Sequence, residues 1–381
     1  MSAFGAIRSS LLGLATNLRG WRTRRKLLVI ESDDWGAVRM PSKRAWSSLL
    51  KAGIRVDQSA FDTVDCLEKR EDLDLLFNEL DRHVDANQRR PVFTSNMVLA
   101  NPDFDAIRES GFEQYSHRDL WRSYEHYNGE SNKDCWSQAI TGGYVLPQFH
   151  AYEHLNVPLW MRDLYEGRSA TRIAFDHDFF GLTSRTSSND QRNYLAAYWA
   201  ESESDLKLVL KRLDQGLAEF KKAFGRASKT FVACNYILPR QAESTLFQAG
   251  VRSIQSQRGQ FSPSGVDASG KVLRTFTGKI YPSGVLRTVR NVLFEPFLGG
   301  SKDWVSASLR QISSSFLLGK PAVISTHRAN YVSGLSTSNR DNNLRKISDL
   351  LEQVLKTWPE VEFISSEELY ELIVKNQRLA P

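Results

Sequence analysis

From Lys26 onward, short apolar runs of strand type alternate with longer segments of helical period, and that alternation restricts the chain to an α/β architecture. Lys26–Ser32 (KLLVIES) is apolar without a break, the pattern of a strand buried on both faces. Further strands are predicted at Pro91–Leu99, Tyr144–His150, Thr230–Cys234, Val251–Ser256 and Pro321–Thr326, with Val285–Phe294 extended. Helices are predicted at Ser42–Ala52, Glu68–Asn87, Arg192–Phe224, Pro239–Ala249 and Trp304–Leu318, and a final helix, strand and helix at Asn342–Asn376. Gly53 and Gly225 stand where left-handed C-caps belong. Gly259–Lys271 is turn-rich and short enough for a loop. With no long Pro/Gly/Ser linker, residues 26–381 read as one domain, with an insertion around 100–145 that is polar, aromatic-rich and without a clear period.

Composition bounds the function classes. Hydrophobic residues at 41% and charged residues at 25% argue against extensive disorder, and no run approaches the roughly 18–20 apolar residues of a membrane span. Cys66, Cys135 and Cys234 are odd in number and unpaired in spacing, so they read as reduced thiols of a cytoplasmic protein, outside any zinc–cysteine site. The net charge of +6 is concentrated at the start, where Arg8, Arg19, Arg22, Arg24, Arg25 and Lys26 surround the apolar run Leu11–Ala15. That run lacks the length and cleavage site of a signal peptide. Residues 1–25 read as a basic amphipathic segment, fit either to rest on the anionic inner face of a membrane or to pack as an ordinary surface helix. No basic, aromatic-interleaved motif points to nucleic acid.

Three strand ends carry titratable side chains, at the edge where α/β folds build their active sites. In ESDDWG, Asp33 and Asp34 follow the first strand. Two adjacent carboxylates there call for a cation, although either could instead cap the next helix. In FHAYEH, His150 and His154 are four residues apart, a spacing that on a helical turn lets both imidazoles reach one metal ion and in a polar loop need mean nothing. Glu153 between them does not make the HExxH arrangement of a zinc protease. In VISTHRANY, His327 ends an apolar strand and is followed by Arg328, Asn330 and Tyr331; it suits a general acid or a hydrogen-bonded structural residue.

Taken in order, these motifs resemble the polysaccharide deacetylase family, also called NodB-homology or carbohydrate esterase family 4. The succession is Asp33–Asp34, His150 and His154, FVACNY at Phe231–Tyr236, Asp303–Trp304, then His327, covering about residues 26–330. The sequence departs from the family in FVACNY, which has no arginine or proline, with Val232 and Cys234 roughly in their places. Arg290 in RNVLFEP is the candidate for the missing positive charge. The long interval between the Asp and His pairs is the other departure.

The resemblance implies a distorted (β/α) barrel and removal of N-acetyl or O-acetyl groups from a carbohydrate, an N-acetylated glycan or its precursor. It further implies Zn²⁺ or another divalent transition metal on Asp34, His150 and His154, with Asp33 as base and His327 as acid. The backbone N–H of Asn235 or Tyr236 would meet the oxyanion, and Arg290, Asp303 and Trp304 would support substrate. Aromatic residues between Trp121 and Trp160 can stack on sugars or belong to the core. An amidohydrolase for a non-sugar substrate would use the same residues, and the altered third motif also suits a carbohydrate-binding protein without turnover.

Overall fold

The computed structural model describes residues 17–187, 193–263 and 270–378. Ten strands form one sheet: β1 (Lys26–Trp35), β2 (Phe93–Val98), β5 (Val145–Ala151), β6 (Thr230–Val232), β7 (Ser253–Ser256), β10 (Lys279–Ile280), β11 (Leu286–Val289), β12 (Val292–Leu293), β13 (Ala322–His327) and β14 (Val361–Phe363). Nine follow the path β10-β11-β7-β6-β5-β2-β1-β13-β12, and β14 pairs with the start of β1. Every pairing is parallel except β10 with β11. The sheet curls into an open half-barrel flanked by helices, a distorted (β/α)-barrel architecture. Its two ends do not meet. Two small antiparallel pairs stand apart: β3 (Ala100–Pro102) with β4 (His117–Asp119), and β8 (Gly259–Pro263) with β9 (Gly270–Arg274).

β1 lies inside the sheet, between β2 and β13, where its apolar run can be covered on both faces, and its alternate residues do go to different cores. Leu28 and Ile30 join the large cluster between sheet and outer helices. Leu27 and Val29 face the other way, into a cluster with Leu286, Val323, Ile364, Leu369 and Ile373. The last three of these come from the C-terminal end of the chain, where the helix Ser366–Arg378 plugs the half-barrel. Glu31 and Asp33 continue the same face of β1, so the interior passes from apolar at the plug to charged at the rim within four alternating positions.

Several boundaries differ from those predicted. The long helix starts at Glu203, where the Ser202 hydroxyl accepts the Asp205 N–H. Tyr194, Leu195 and Tyr198 before it are buried in irregular chain, which is what their apolar spacing reflected. The second helix is shorter than Glu68–Asn87, running Arg70–Leu80. Part of the expected loop at Gly259–Lys271 is β8 paired to β9. Residues 1–16 of the basic N-terminal segment lie outside the described residues. Among the described residues no helix is long and apolar enough to cross a membrane.

Beneath the rim, Arg328 is fully buried and donates to Asp65 at 3.0 Å and Glu68 at 2.7 Å. Glu68 also receives the Tyr124 hydroxyl and the Gly36 N–H, so one guanidinium ties the β13 end to the segment following β1. Removing it would leave two carboxylates buried without their counter-charge. Arg328→Met is expected to destabilise the fold by about 3–5 kcal/mol in denaturant titration, and a loss under 1 kcal/mol would show that the pair is not holding these segments together.

Candidate functional site

Because the strands that carry them are parallel, the side chains at their carboxyl ends gather on one rim. Asp33 and Asp34 come from β1, His150 from β5, Cys234, Asn235 and Tyr236 from the turn after β6, Arg290 from the residue after β11 and His327 from the last position of β13. Asp33 and His327 are register partners on neighbouring strands. The rim opens into a cavity of about 540 Å³ lined by Asp33, Asp34, His150, His154, Asn235, Tyr236 and His327 together with Arg39, Phe61 and Arg185.

In a regular strand Asp33 and Asp34 would point to opposite faces. The β1–β2 register slips between Ser32 and Trp35, and Asp34 takes φ 75°, a left-handed conformation uncommon for a side chain with a Cβ. The slip turns both carboxylates into the same cavity and gives each a different set of neighbours.

Asp33 is held by cations and amides. Arg290 forks it, Nη1 to Oδ2 at 2.6 Å and Nη2 to Oδ1 at 2.7 Å, while Asn96 donates to Oδ1 at 2.8 Å. The same guanidinium donates from Nε to Glu31 at 2.7 Å, and from Nη2 to Gln255 at 2.7 Å. Arg290 thus stands against Asp33 with a positive charge that the turn after β6 lacks. Burial opposes ionisation of Asp33, but Arg290 and then His327 and His150 bring its pKa down to about 2.

Asp34 instead faces the histidines. Its Oδ1 lies 3.2 Å from His150 Nε2 and 3.4 Å from His154 Nε2. His150 donates Nδ1–H to the Val232 carbonyl at 2.8 Å, which leaves its Nε2 lone pair for the cavity side. The pair does not share a helical turn as its spacing predicts: His150 is in β5 and His154 in the loop after it, their rings 5.1 Å apart. Tertiary contacts set that loop, through the Tyr198 hydroxyl on the His150 carbonyl at 2.7 Å and through Glu153 paired to Arg212.

Cys234 corrects the expectation that no cysteine enters a metal site. His150, His154 and Cys234 form a buried group whose ligand atoms lie within 4.8 Å of one another, with Sγ 3.7 Å from His150 Nε2. This cluster can chelate a metal. All three cysteines are free thiols. Burial disfavours the Cys234 thiolate, but His150 and His154 bring the thiol down to about 7. The donor set suits a divalent transition metal, and His154 Nδ1 is a buried nitrogen with no hydrogen-bond partner among the described residues.

His327 is anchored by Glu295, Nδ1 to Oε1 at 2.6 Å, and its ring meets Phe61 edge-on at 5.0 Å between centroids. Asn330 steadies the anchor by donating to Glu295 Oε2 at 2.9 Å. Burial lowers the imidazole's affinity for a proton, yet Glu295, with Asp34 and Asp33, raises its pKa to about 9. Its Nε2 sits 3.9 Å from Asp33 Oδ2, on the cavity side.

Two of the residues expected from the resemblance lie elsewhere. Asp303 caps the helix Trp304–Leu317 by accepting from Ser306, and Trp304 packs at the start of that helix under Lys302; neither lines the cavity. The Tyr236 N–H donates to the Ala233 carbonyl at 2.9 Å, so of the two proposed oxyanion donors only Asn235 keeps that role open, while the Tyr236 hydroxyl accepts from Arg290. Tyr124, Trp136 and Trp160 are fully buried core, Trp121, Tyr127 and Tyr144 pack against the core, and none of these aromatics lines the cavity. Sequence reasoning did not pick out Glu295, Asn96 or Gln255. Glu295 lies five residues after Arg290 in the same apolar stretch, and a carboxylate there was the signal.

No protein-family model and no curated protein matches the chain by sequence. Among solved structures, a Mycobacterium smegmatis protein classed as a polysaccharide deacetylase is 10% identical and aligns over 95% of both chains with a TM-score of 0.42. A 4-alpha-glucanotransferase of Thermococcus litoralis is 9% identical over 91% of this chain and 40% of its own, with a TM-score of 0.44. A branching enzyme of Thermococcus kodakaraensis is 14% identical over 92% of this chain and 71% of its own, with a TM-score of 0.42.

The Glu295–His327 pair makes a pH prediction. A folded-state pKa raised to about 9 stabilises the fold fully below the ordinary imidazole value of about 6.5, and that contribution is lost as pH rises through 9. Glu295→Gln removes the facing charge, so the His327 titration followed by NMR is expected to move down from about 9 toward the ordinary range. An unchanged midpoint would mean that Glu295 does not hold the proton.

Proposed function

We propose that this protein is a metal-dependent deacetylase that removes N-acetyl or O-acetyl groups from a carbohydrate, an amino-sugar-containing glycan or its precursor. One observation carries the reading: the two carboxylates of Asp33–Asp34 are split by their surroundings into a cation-locked Asp33 and an Asp34 that faces two imidazoles, with His327 across the same cavity. Asp34, His150 and His154 would hold Zn²⁺ or a similar ion, which when bound lowers the pKa of water toward neutrality and polarises an acyl carbonyl.

The remaining roles belong to the chain. Asp33 stays ionised at neutral pH and accepts the proton of the attacking water; a carboxylate held near 2 is a weak base, which is why this site calls for water that is already acidified. Arg290 fixes the orientation of that carboxylate through two parallel hydrogen bonds. His327 carries a proton at neutral pH and delivers it to the departing sugar nitrogen or oxygen as the acyl carbon–heteroatom bond breaks, giving acetate and the free sugar group. The backbone N–H of Asn235 is the proposed donor to the tetrahedral oxyanion. The cavity volume falls in the range of small-molecule sites, and its Ser59, Thr183, Ser184 and Asn193 can meet sugar hydroxyls.

The test is acetate release from a panel of acetylated glycans and glycan precursors, comparing wild type with Asp34→Ala and His150→Ala. Both variants are expected to lose on the order of 100-fold or more in kcat/KM. Equal activity in all three proteins would remove the metal from the mechanism.

A further inference from the structure

We infer that Cys234 is itself a metal ligand, so that the ion at this rim is held by two imidazoles, a carboxylate and a thiolate, a donor set selective for thiophilic divalent metals such as Zn²⁺ and Co²⁺ over Mg²⁺ or Ca²⁺. The inference rests on the proposed metal site and specifies its chemistry further.

The geometry points there independently of any one residue. Donor atoms of neighbouring ligands on a tetrahedral zinc lie about 3.3–3.6 Å apart, given bond lengths of about 2.0–2.3 Å. Here Asp34 Oδ1 is 3.2 Å from His150 Nε2 and 3.4 Å from His154 Nε2, and Cys234 Sγ is 3.7 Å from His150 Nε2. Those three separations fit donors around one ion, with a further position left for the water that the proposed reaction needs. Hydrogen bonding gives a second indication. The His150 Nδ1–H is committed to the Val232 carbonyl, two residues before the cysteine, so the element that orients the imidazole also delivers the thiol beside its free nitrogen.

The local backbone supports the placement of Cys234. Asn235 and Tyr236 both adopt positive φ, 53° and 54°, directly after it. Consecutive left-handed residues with side chains are costly, and this turn brings the end of β6 sharply across the rim. Cys234 is wholly buried, as a ligand closed off from solvent would be, and its neighbours His150 and His154 are buried with it. Among the described residues Cys66 and Cys135 have no such partners: Cys66 faces Gly334, and Cys135 lies beside Asp74.

Thiolate ligation shifts metal choice. Magnesium and calcium favour all-oxygen sites, whereas a thiolate with two imidazoles is matched to zinc, cobalt and their neighbours. The carboxylate on the opposite side keeps one hard donor in the set.

Cobalt substitution tests this by a readout other than activity. The full-length protein, stripped with a chelator and loaded with Co²⁺ alone, is expected to show a sulfur-to-cobalt charge-transfer absorption in the near ultraviolet. Cys234→Ser should still take up cobalt but lose that absorption, with its zinc dissociation constant raised at least about tenfold. Should Cys234→Ser fail to fold, the Cys66→Ser/Cys135→Ser double variant leaves Cys234 as the sole thiol, and an undiminished band in it makes the same assignment. Cobalt bound in the wild type without the band overturns the thiolate ligand while leaving the deacetylase reading intact. The band together with no acetate from any acetylated glycan does the reverse, and a protein that binds neither metal refutes both.

Discussion

Arg290 is the interaction on which the arrangement of the rim depends. Its guanidinium lies inside the half-barrel, forks Asp33 and reaches Glu31 two residues earlier on the same face of β1. Two carboxylates this deeply buried would otherwise repel each other and resist ionisation; burial does push Glu31 above the ordinary carboxylate range. The planar fork offers enough donors to serve both carboxylates and Gln255 together, which an ammonium could not do in one fixed geometry. With Asp33 oriented in this way, Asp34 is left to the histidines, and the left-handed step at Asp34 makes the separation geometrically feasible.

The polar network extends through the interior rather than stopping at the site. Asn96, Gln255 and Thr230 link β2, β7 and β6 by side-chain hydrogen bonds, and Ser366 at the start of the plugging helix donates to Glu31. Below them the face of β1 is apolar and packs on Ile364, Leu369 and Ile373. A half-barrel that leaves one side open needs such a plug, because its interior apolar layer has no opposite strands to cover it. The same helix therefore serves stability at its apolar face and supports the charged layer at its first residue.

The proposed acid and base are kept apart by different counter-charges. His327 is tied to Glu295 and Asp33 to Arg290, so one keeps its proton and the other gives it up across the neutral range. The positive charge does not come from the third motif, where the resemblance places it. Arg290 follows β11 and stands in for a charge missing after β6, while Glu295, which no motif marked, anchors His327. Side chains from different strands can replace one another here because all the parallel strands end on one rim.

The strand ends were legible in the sequence because each requirement was local. The uninterrupted apolar runs of β1 and β13 marked buried parallel strands, and titratable residues directly after them had few places to go except a shared rim. Asp33, Asp34, His150 and His327 came out of that logic, His154 out of its spacing from His150, and Arg290 only as the candidate for the charge that the resemblance found missing. The open edges of the sheet, the β8–β9 pair and the true start of the long helix depended on packing between distant segments, which local period does not encode. Cys234 and Glu295 were equally hidden. A buried cysteine after a strand is ordinary until two imidazoles from another strand are placed beside it, and a glutamate is ordinary until a histidine 32 residues later faces it at 2.6 Å. The sequence by itself determined which residues stand at strand ends, since hydrophobic period and chain order suffice for that; tertiary structure alone decided which of them share charges, because those pairings join strands that are neighbours only in the folded sheet.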